Sequence, residues 1–197
     1  MRNFILGIVF FLSLQLSAQE LSLWNLKYGI TQKQAITQIA KERGLTDPVI
    51  INDTADSDNI LIYYSDCPFA GEDAELVTLS FYKDQFYRAI IMLKPKESRL
   101  LTKYDSLVDD ISTKYGKPDK KMYSFDYPFE EGDGYELSAI KSGKSNIASR
   151  WSIPNRMPTS TVAIVITDQA KIAVLYDYLK ISDIVDVKEK NKNLKDL

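Results

Sequence analysis

Residues 76–93 read LVTLSFYKDQFYRAIIML. Val77, Leu79 and Phe81 alternate with Thr78, Ser80 and Tyr82, the period of a strand with one buried and one wet face. Asp84-Gln85 supplies a tight turn, and Phe86–Leu93 returns as the second strand of a hairpin. With a two-residue loop, Tyr82 pairs with Tyr87 and Phe81 with Arg88; a three-residue loop shifts that register. On the first register Tyr82 and Tyr87 stand beside Thr78 and Ser80, on the face away from Val77, Leu79 and Phe81. These four residues form the candidate binding surface, since tyrosine supplies rigid, amphipathic contact area. A second reading makes the tyrosines a cross-strand pair that only stabilises the hairpin, by ~0.2–1 kcal/mol.

Upstream, Thr31 and Gln34 make a T-x-x-Q capping box, Ala35, Ile36, Ile39 and Ala40 form one apolar stripe, and Gly44 is a left-handed stop. A helix over 32–43 follows. Apolar stretches at Pro48–Ile51 and Ile60–Tyr64 read as short strands around a polar turn. Downstream, Leu100, Leu101, Tyr104, Leu107, Val108, Ile111 and Tyr115 predict a second helix from near Ser98 to Tyr115, ended by Gly116 and Pro118. Lys121–Phe125 reads as a strand, 126–148 as an irregular excursion or long hairpin, and Arg150–Ile153 as a short strand. Pro154–Pro158 reads as a turn. Thr161–Thr167 and Ala170–Tyr178 form a second hairpin around Asp168-Gln169. Both faces of that hairpin are apolar. Segment 182–187 or the 126–148 excursion covers the second face, or it is a partner groove.

The two halves repeat one order: helix, glycine stop, weak strands, then a hairpin turning at Asp-Gln. A single such unit, one helix on one small sheet, is marginal alone. The expected class is therefore α+β, two tandem helix-plus-antiparallel-sheet repeats with the helices packed on one side of the sheet. The divisions are a signal peptide at 1–18, repeats at 19–95 and 96–180, and a charged C-terminal tail at 181–197.

The first segment, MRNFILGIVFFLSLQLSA, has a basic Arg2, an uncharged apolar run from Phe4 to Leu16, and small residues at Ser17-Ala18. That is the layout of a secretory signal. The run is shorter than the ~20 residues of a membrane span, and Gln19 leaves no lipid-acceptor cysteine. The expected location is periplasmic or secreted, and the expected protein is not an integral membrane protein.

Composition narrows the chemistry. The 197-residue chain has no histidine, one cysteine and a net charge of −2. Without histidine there is no Ser-His-Asp or Cys-His catalysis and no His-ligated zinc or haem. The charge balance argues against nucleic acid as a partner. Cys67 cannot form an internal disulfide, and Asp66 beside it does not favour a thiolate. Short strings imitate serine β-lactamases: S-x-x-K at Ser80–Lys83, S-D-N at Ser57–Asn59 and K-S-G at Lys141–Gly143. Their order is wrong, and Ser80 lies on a strand where the chemistry needs a helix start. Gly143-Lys144-Ser145 lacks the first glycine of a phosphate loop, position 138 being serine. Asp53, Asp56 and Asp58 miss the calcium-loop spacing, with Ala55 third and Tyr64 twelfth. Asp109/Asp110 and Glu130/Glu131 are adjacent pairs, not facing ones. No catalytic residue, cofactor or metal site is expected.

The strings WNLKYGITQKQAITQI (24–39), PFAG (68–71), LSFYKDQFYR (79–88) and KYGKP (114–118) resemble a pattern in exported bacterial proteins. It is similar to the helix-plus-antiparallel-sheet repeats of the β-lactamase-inhibitor-protein-like fold, shared by small lipoproteins of the outer-membrane barrel-assembly machinery. The resemblance implies an envelope setting and a binding role. Three functions follow as expectations: a non-enzymatic exported module binding a protein or envelope polymer, a carboxylate-dependent hydrolase of an envelope polymer, or a structural or assembly accessory such as a homodimer built on the second hairpin.

Overall fold

A computed structural model describes residues 22–52, 58–152 and 160–195. The signal segment, Asp53, Asp56 and the Pro154–Pro158 turn lie outside the described residues. The strands are β1 (Val49–Asn52), β2 (Asn59–Phe69), β3 (Glu72–Tyr82), β4 (Gln85–Leu93), β5 (Lys120–Phe125), β6 (Ser145–Ser152), β7 (Ser160–Ile166) and β8 (Ile172–Tyr178). They form one eight-stranded sheet in the order β1-β2-β3-β4-β8-β7-β6-β5, antiparallel at every pairing. The helices are α1 (Gln32–Arg43), α2 (Leu100–Tyr115), α3 (Glu136–Lys141) and α4 (Leu179–Lys195). The α+β class is as the sequence predicts.

The capping box starts α1. Thr31 Oγ1 accepts from the Gln34 amide at 3.3 Å, and Gln34 Oε1 accepts from the Thr31 amide at 2.9 Å. Asp84, in the β3–β4 turn, takes the Gln32 amide at 2.9 Å and ties the helix start to the hairpin. Gly44 ends α1 at φ +70°, a left-handed conformation that a side chain would disfavour. Ala35 and Ile39 of α1 share one core with Leu100, Tyr104, Leu107, Val108 and Ile111 of α2. That core also takes Val77, Leu79, Phe81, Ile91, Val162, Ile164 and Val174 from one face of the sheet. The Tyr104 hydroxyl and Ser149 Oγ lie 2.8 Å apart in the interior, and Trp151 Nε1 donates to the Gly116 carbonyl at 2.8 Å. Both bonds fix α2 to β6.

The hairpin register departs from the expected one. The loop is Lys83-Asp84, both residues left-handed at φ +50° and +58°. This is the twist that suits a two-residue hairpin. Tyr82 therefore pairs with Gln85, and Phe81 with Phe86. Ser80 then faces Arg88, leaving Tyr87 as the extra residue of a β-bulge. The expected pairs Tyr82–Tyr87 and Phe81–Arg88 do not form. The bulge lets Phe86 and Ala89 both enter the core, while Tyr87 joins a separate cluster on the outer face.

The 126–148 stretch is more ordered than its glycines suggest. It contains α3, and β6 begins at Ser145 rather than Arg150 because Ile147, Ala148 and Ser149 are all buried. Its loop is held by its own carboxylates. Asp133 accepts from the Glu130 and Tyr135 amides at 2.9 and 2.7 Å, and Glu136 from the Gly132 amide at 2.9 Å.

Residues 181–197 are also more than a solvated tail. Leu179–Lys195 is helical, and Ile181, Ser182 and Val185, one turn apart on one side of α4, are buried. Ile181 and Val185 pack on Tyr87, outside the main core. The helices thus do not all share one side of the sheet.

Candidate functional site

Strand alternation sets Thr78, Ser80 and Tyr82 opposite the core residues Val77, Leu79 and Phe81, and the bulge adds Tyr87 to that outer face. All four expected residues therefore meet on one face, at unequal depth. Ser80 and Tyr87 are only 4% and 5% exposed, Tyr87 lying under Ile181 and Val185 of α4. Thr78 and Tyr82 are half-buried. The Tyr82 ring has Lys83 Nζ at 5.4 Å and Lys188 Nζ at 5.3 Å from its centroid, two cation–π contacts.

Charge fastens α4 to this face. Arg88 Nε and Nη2 donate to the two oxygens of Asp177 at 3.2 and 3.1 Å, and Nη2 also reaches Asp186 at 3.3 Å. Burial draws the Arg88 pKa down, but Asp177 and Asp186 outweigh it and hold the guanidinium above its ordinary value. Lys188 of α4 meets Asp58 at 3.5 Å. Burial also raises the Tyr87 phenol, which stays protonated at neutral pH.

Beside α4 the outer face opens into a groove of about 370 Å³. Its lining is Ile51 and Asn52 of β1, Asn59 and Leu61 of β2, Phe81, Tyr87, and Glu189 of α4. Glu189 is the one carboxylate in that lining. The groove runs out to β1, the outermost strand, where Val49, Ile50 and Ile51 are 60%, 47% and 49% exposed. At the other end of the sheet β5 carries exposed Lys120 and Lys121. Sequence reading noticed β1 only as a short strand. The available signal was three branched apolar residues in a row, without a charge, between Pro48 and Asn52.

A second cavity of about 410 Å³ is lined by Gln32, Lys33, Ile36, Thr37 and Asp84. Its only carboxylate, Asp84, is already engaged by the Gln32 amide.

Cys67 is buried, and its Sγ donates to the Ser65 carbonyl at 3.4 Å. Burial first, then the nearby Asp66 charge, push its thiol up. Burial, and Cys67 after it, push the Tyr64 phenol up to about 12. Both groups are neutral at physiological pH, which leaves Cys67 a small apolar core residue rather than a nucleophile. Among the described residues, no three His, Cys, Asp or Glu side chains converge as a metal site, and no helix is long and apolar enough to cross a membrane. Comparison with protein-family models, with curated proteins and with solved structures gave no match.

Proposed function

We propose that the protein is an exported, non-enzymatic binding module of the cell envelope, made of two copies of a helix-plus-four-strand unit. The strand order supports the duplication. β1 to β4 form one meander, β5 to β8 another, and the two join through their last strands, β4 and β8. Each half opens with a helix, α1 or α2, and both helices contribute to the same core. This arrangement supports the resemblance to the repeats of the β-lactamase-inhibitor-protein-like fold. The apolar leader with its basic start supports export.

The observation that carries the binding role is the β1 edge, which no other strand among the described residues covers, with the groove beside it. An apolar edge left bare is a pairing template that proteins otherwise blunt with charge or cover. A carboxylate hydrolase needs two acids facing each other across a cleft, and each of the two cavities described above has one. The test is to incubate the full chain with isolated cell envelopes and follow both cosedimentation and the supernatant. Saturable cosedimentation without soluble sugar or peptide fragments is the expected result. Fragments accumulating with time overturn it.

A further inference from the structure

We propose that β1 receives an extended peptide from another polypeptide as a ninth strand of the sheet, with a lysine or arginine of that peptide directed at Glu189. This rests on the binding role above and names its partner by chemistry.

The two edges of the sheet are treated differently. β5 presents exposed Lys120 and Lys121, a common guard against strand addition. β1 presents Val49, Ile50 and Ile51, all about half exposed or more, and no charge. Its pairing with β2 is regular from Val49–Tyr63 to Asn52–Ile60, with no bulge to turn the edge away. The alternate amides and carbonyls of β1 that point away from β2 are thus offered in strand geometry. β-Branched residues suit the cross-strand pairs that a new strand would make.

The groove selects the side chain. Ile51 pairs with Leu61, so Ile51 and Val49 share the groove face, while Ile50 faces the other way. A ninth strand lies about 4.8 Å beyond β1. From there a side chain opposite Ile51 must cross that residue to reach the groove. A long basic side chain does this, laying its methylenes on Ile51 and carrying its charge to Glu189. Exposed Asp47 lies just before β1, and Lys188, the cation next to Glu189 in the chain, is engaged by Asp58 at 3.5 Å. The peptide is therefore branched and apolar at alternate positions, with a basic residue between them.

A second copy of this chain fits less well. Two β1 strands paired about a two-fold axis hold no lysine or arginine to answer either Glu189. They also bring two Asp47 and two Glu189 carboxylates to one seam.

The test pans a display library of random peptides, each about a dozen residues long, against the full chain. Winning peptides are then titrated against the wild type, I50K and E189K. Enriched peptides are expected to alternate branched apolar residues and to include lysine or arginine. I50K puts a charge on the edge at an exposed position. It should weaken binding by at least about tenfold with an unchanged thermal melt. E189K should remove the basic preference. N-methylation of one alternate set of peptide amides should abolish binding, and of the other set leave it intact.

No enrichment, winners that bind I50K as well as wild type, or indifference to both methylation sets would overturn the proposal. So would a dimer in sedimentation that I50K dissolves, which gives the edge to a second copy. Envelope cosedimentation separates the two levels. If it persists in I50K, strand addition fails and the binding role stands, whereas fragment release removes the binding role itself.

Discussion

Replacing Tyr104 by phenylalanine removes one oxygen and leaves the ring in place. That oxygen lies 2.8 Å from Ser149 Oγ, and Tyr104 and Ser149 are 0% and 1% exposed. Both groups lie out of reach of bulk solvent at that depth. The substitution therefore removes a bond worth about 1 kcal/mol net and strands the serine hydroxyl, for a total cost of about 1–3 kcal/mol. S149A does the converse, stranding the tyrosine hydroxyl, at a similar cost. The double variant Y104F/S149A strands nothing and should cost only about 1 kcal/mol. The two single costs, together about 2–6 kcal/mol, thus exceed the double by about 1–5 kcal/mol, the coupling energy of a buried pair. Urea unfolding at neutral pH, with midpoint and slope fitted for all four proteins, measures it. If the slopes agree and the single costs simply add, the hydroxyls do not bond and α2 is not keyed to β6 in this way.

T31A removes the cap of α1 and should cost about 1 kcal/mol in the same assay; no loss would show that Asp84 caps the helix alone. V185A, on the packed side of α4, should cost about 2 kcal/mol from two lost methyl groups and the space they leave. V185D should free α4 from Tyr87, so that amides 179–195 exchange rapidly while β3 and β7 stay protected; equal loss of protection across the sheet would contradict a peripheral α4. Cys67 and Tyr64 both have raised folded pKa values, so their contribution to stability is whole below the ordinary thiol pKa of about 8.5. It is lost as pH rises through the folded values, because the unfolded chain gives up its protons first. Unfolding midpoints should accordingly fall from about pH 8 to about pH 11, and less steeply in C67A; identical slopes in the two proteins would refute the assignment. At neutral pH a thiol reagent should label Cys67 only after denaturant is added.

The periodic elements were legible in the chain. Thr31, Gln34 and Gly44 marked both ends of α1 because capping is local chemistry, and the stripe from Leu100 to Ile111 marked α2. The β3–β4 hairpin was legible in position but not in register. Lysine seldom adopts a left-handed conformation, so Lys83-Asp84 looked less like the turn than Asp84-Gln85, and a bulge at Tyr87 has no sequence signature. Segment 182–187 was legible as a candidate cover for the sheet, but the extent of α4 was not: its apolar residues crowd into its first turns ahead of a long charged run, and what holds it is tertiary, with Tyr87 below and Arg88 bound to both Asp177 and Asp186. The four outer-face residues share a face, while the depth of Tyr87 depends on a helix about a hundred residues away in the chain. The β1 edge was visible as composition only. Its place at the end of the strand order among the described residues is set by the whole sheet, which no local window contains.

The seam between β4 and β8 has a consequence for biogenesis. A chain leaving the ribosome or crossing a membrane from its amino end delivers β4 complete at Leu93, but its neighbour starts only at Ile172. Through that interval the first half-sheet carries a raw inner border of Ala89, Ile91 and Leu93, residues wholly interior at the end. The nascent chain must therefore be kept from joining its siblings along that border until the last strand arrives. Refolding yield should accordingly depend on concentration, and a holding chaperone is most needed late in synthesis.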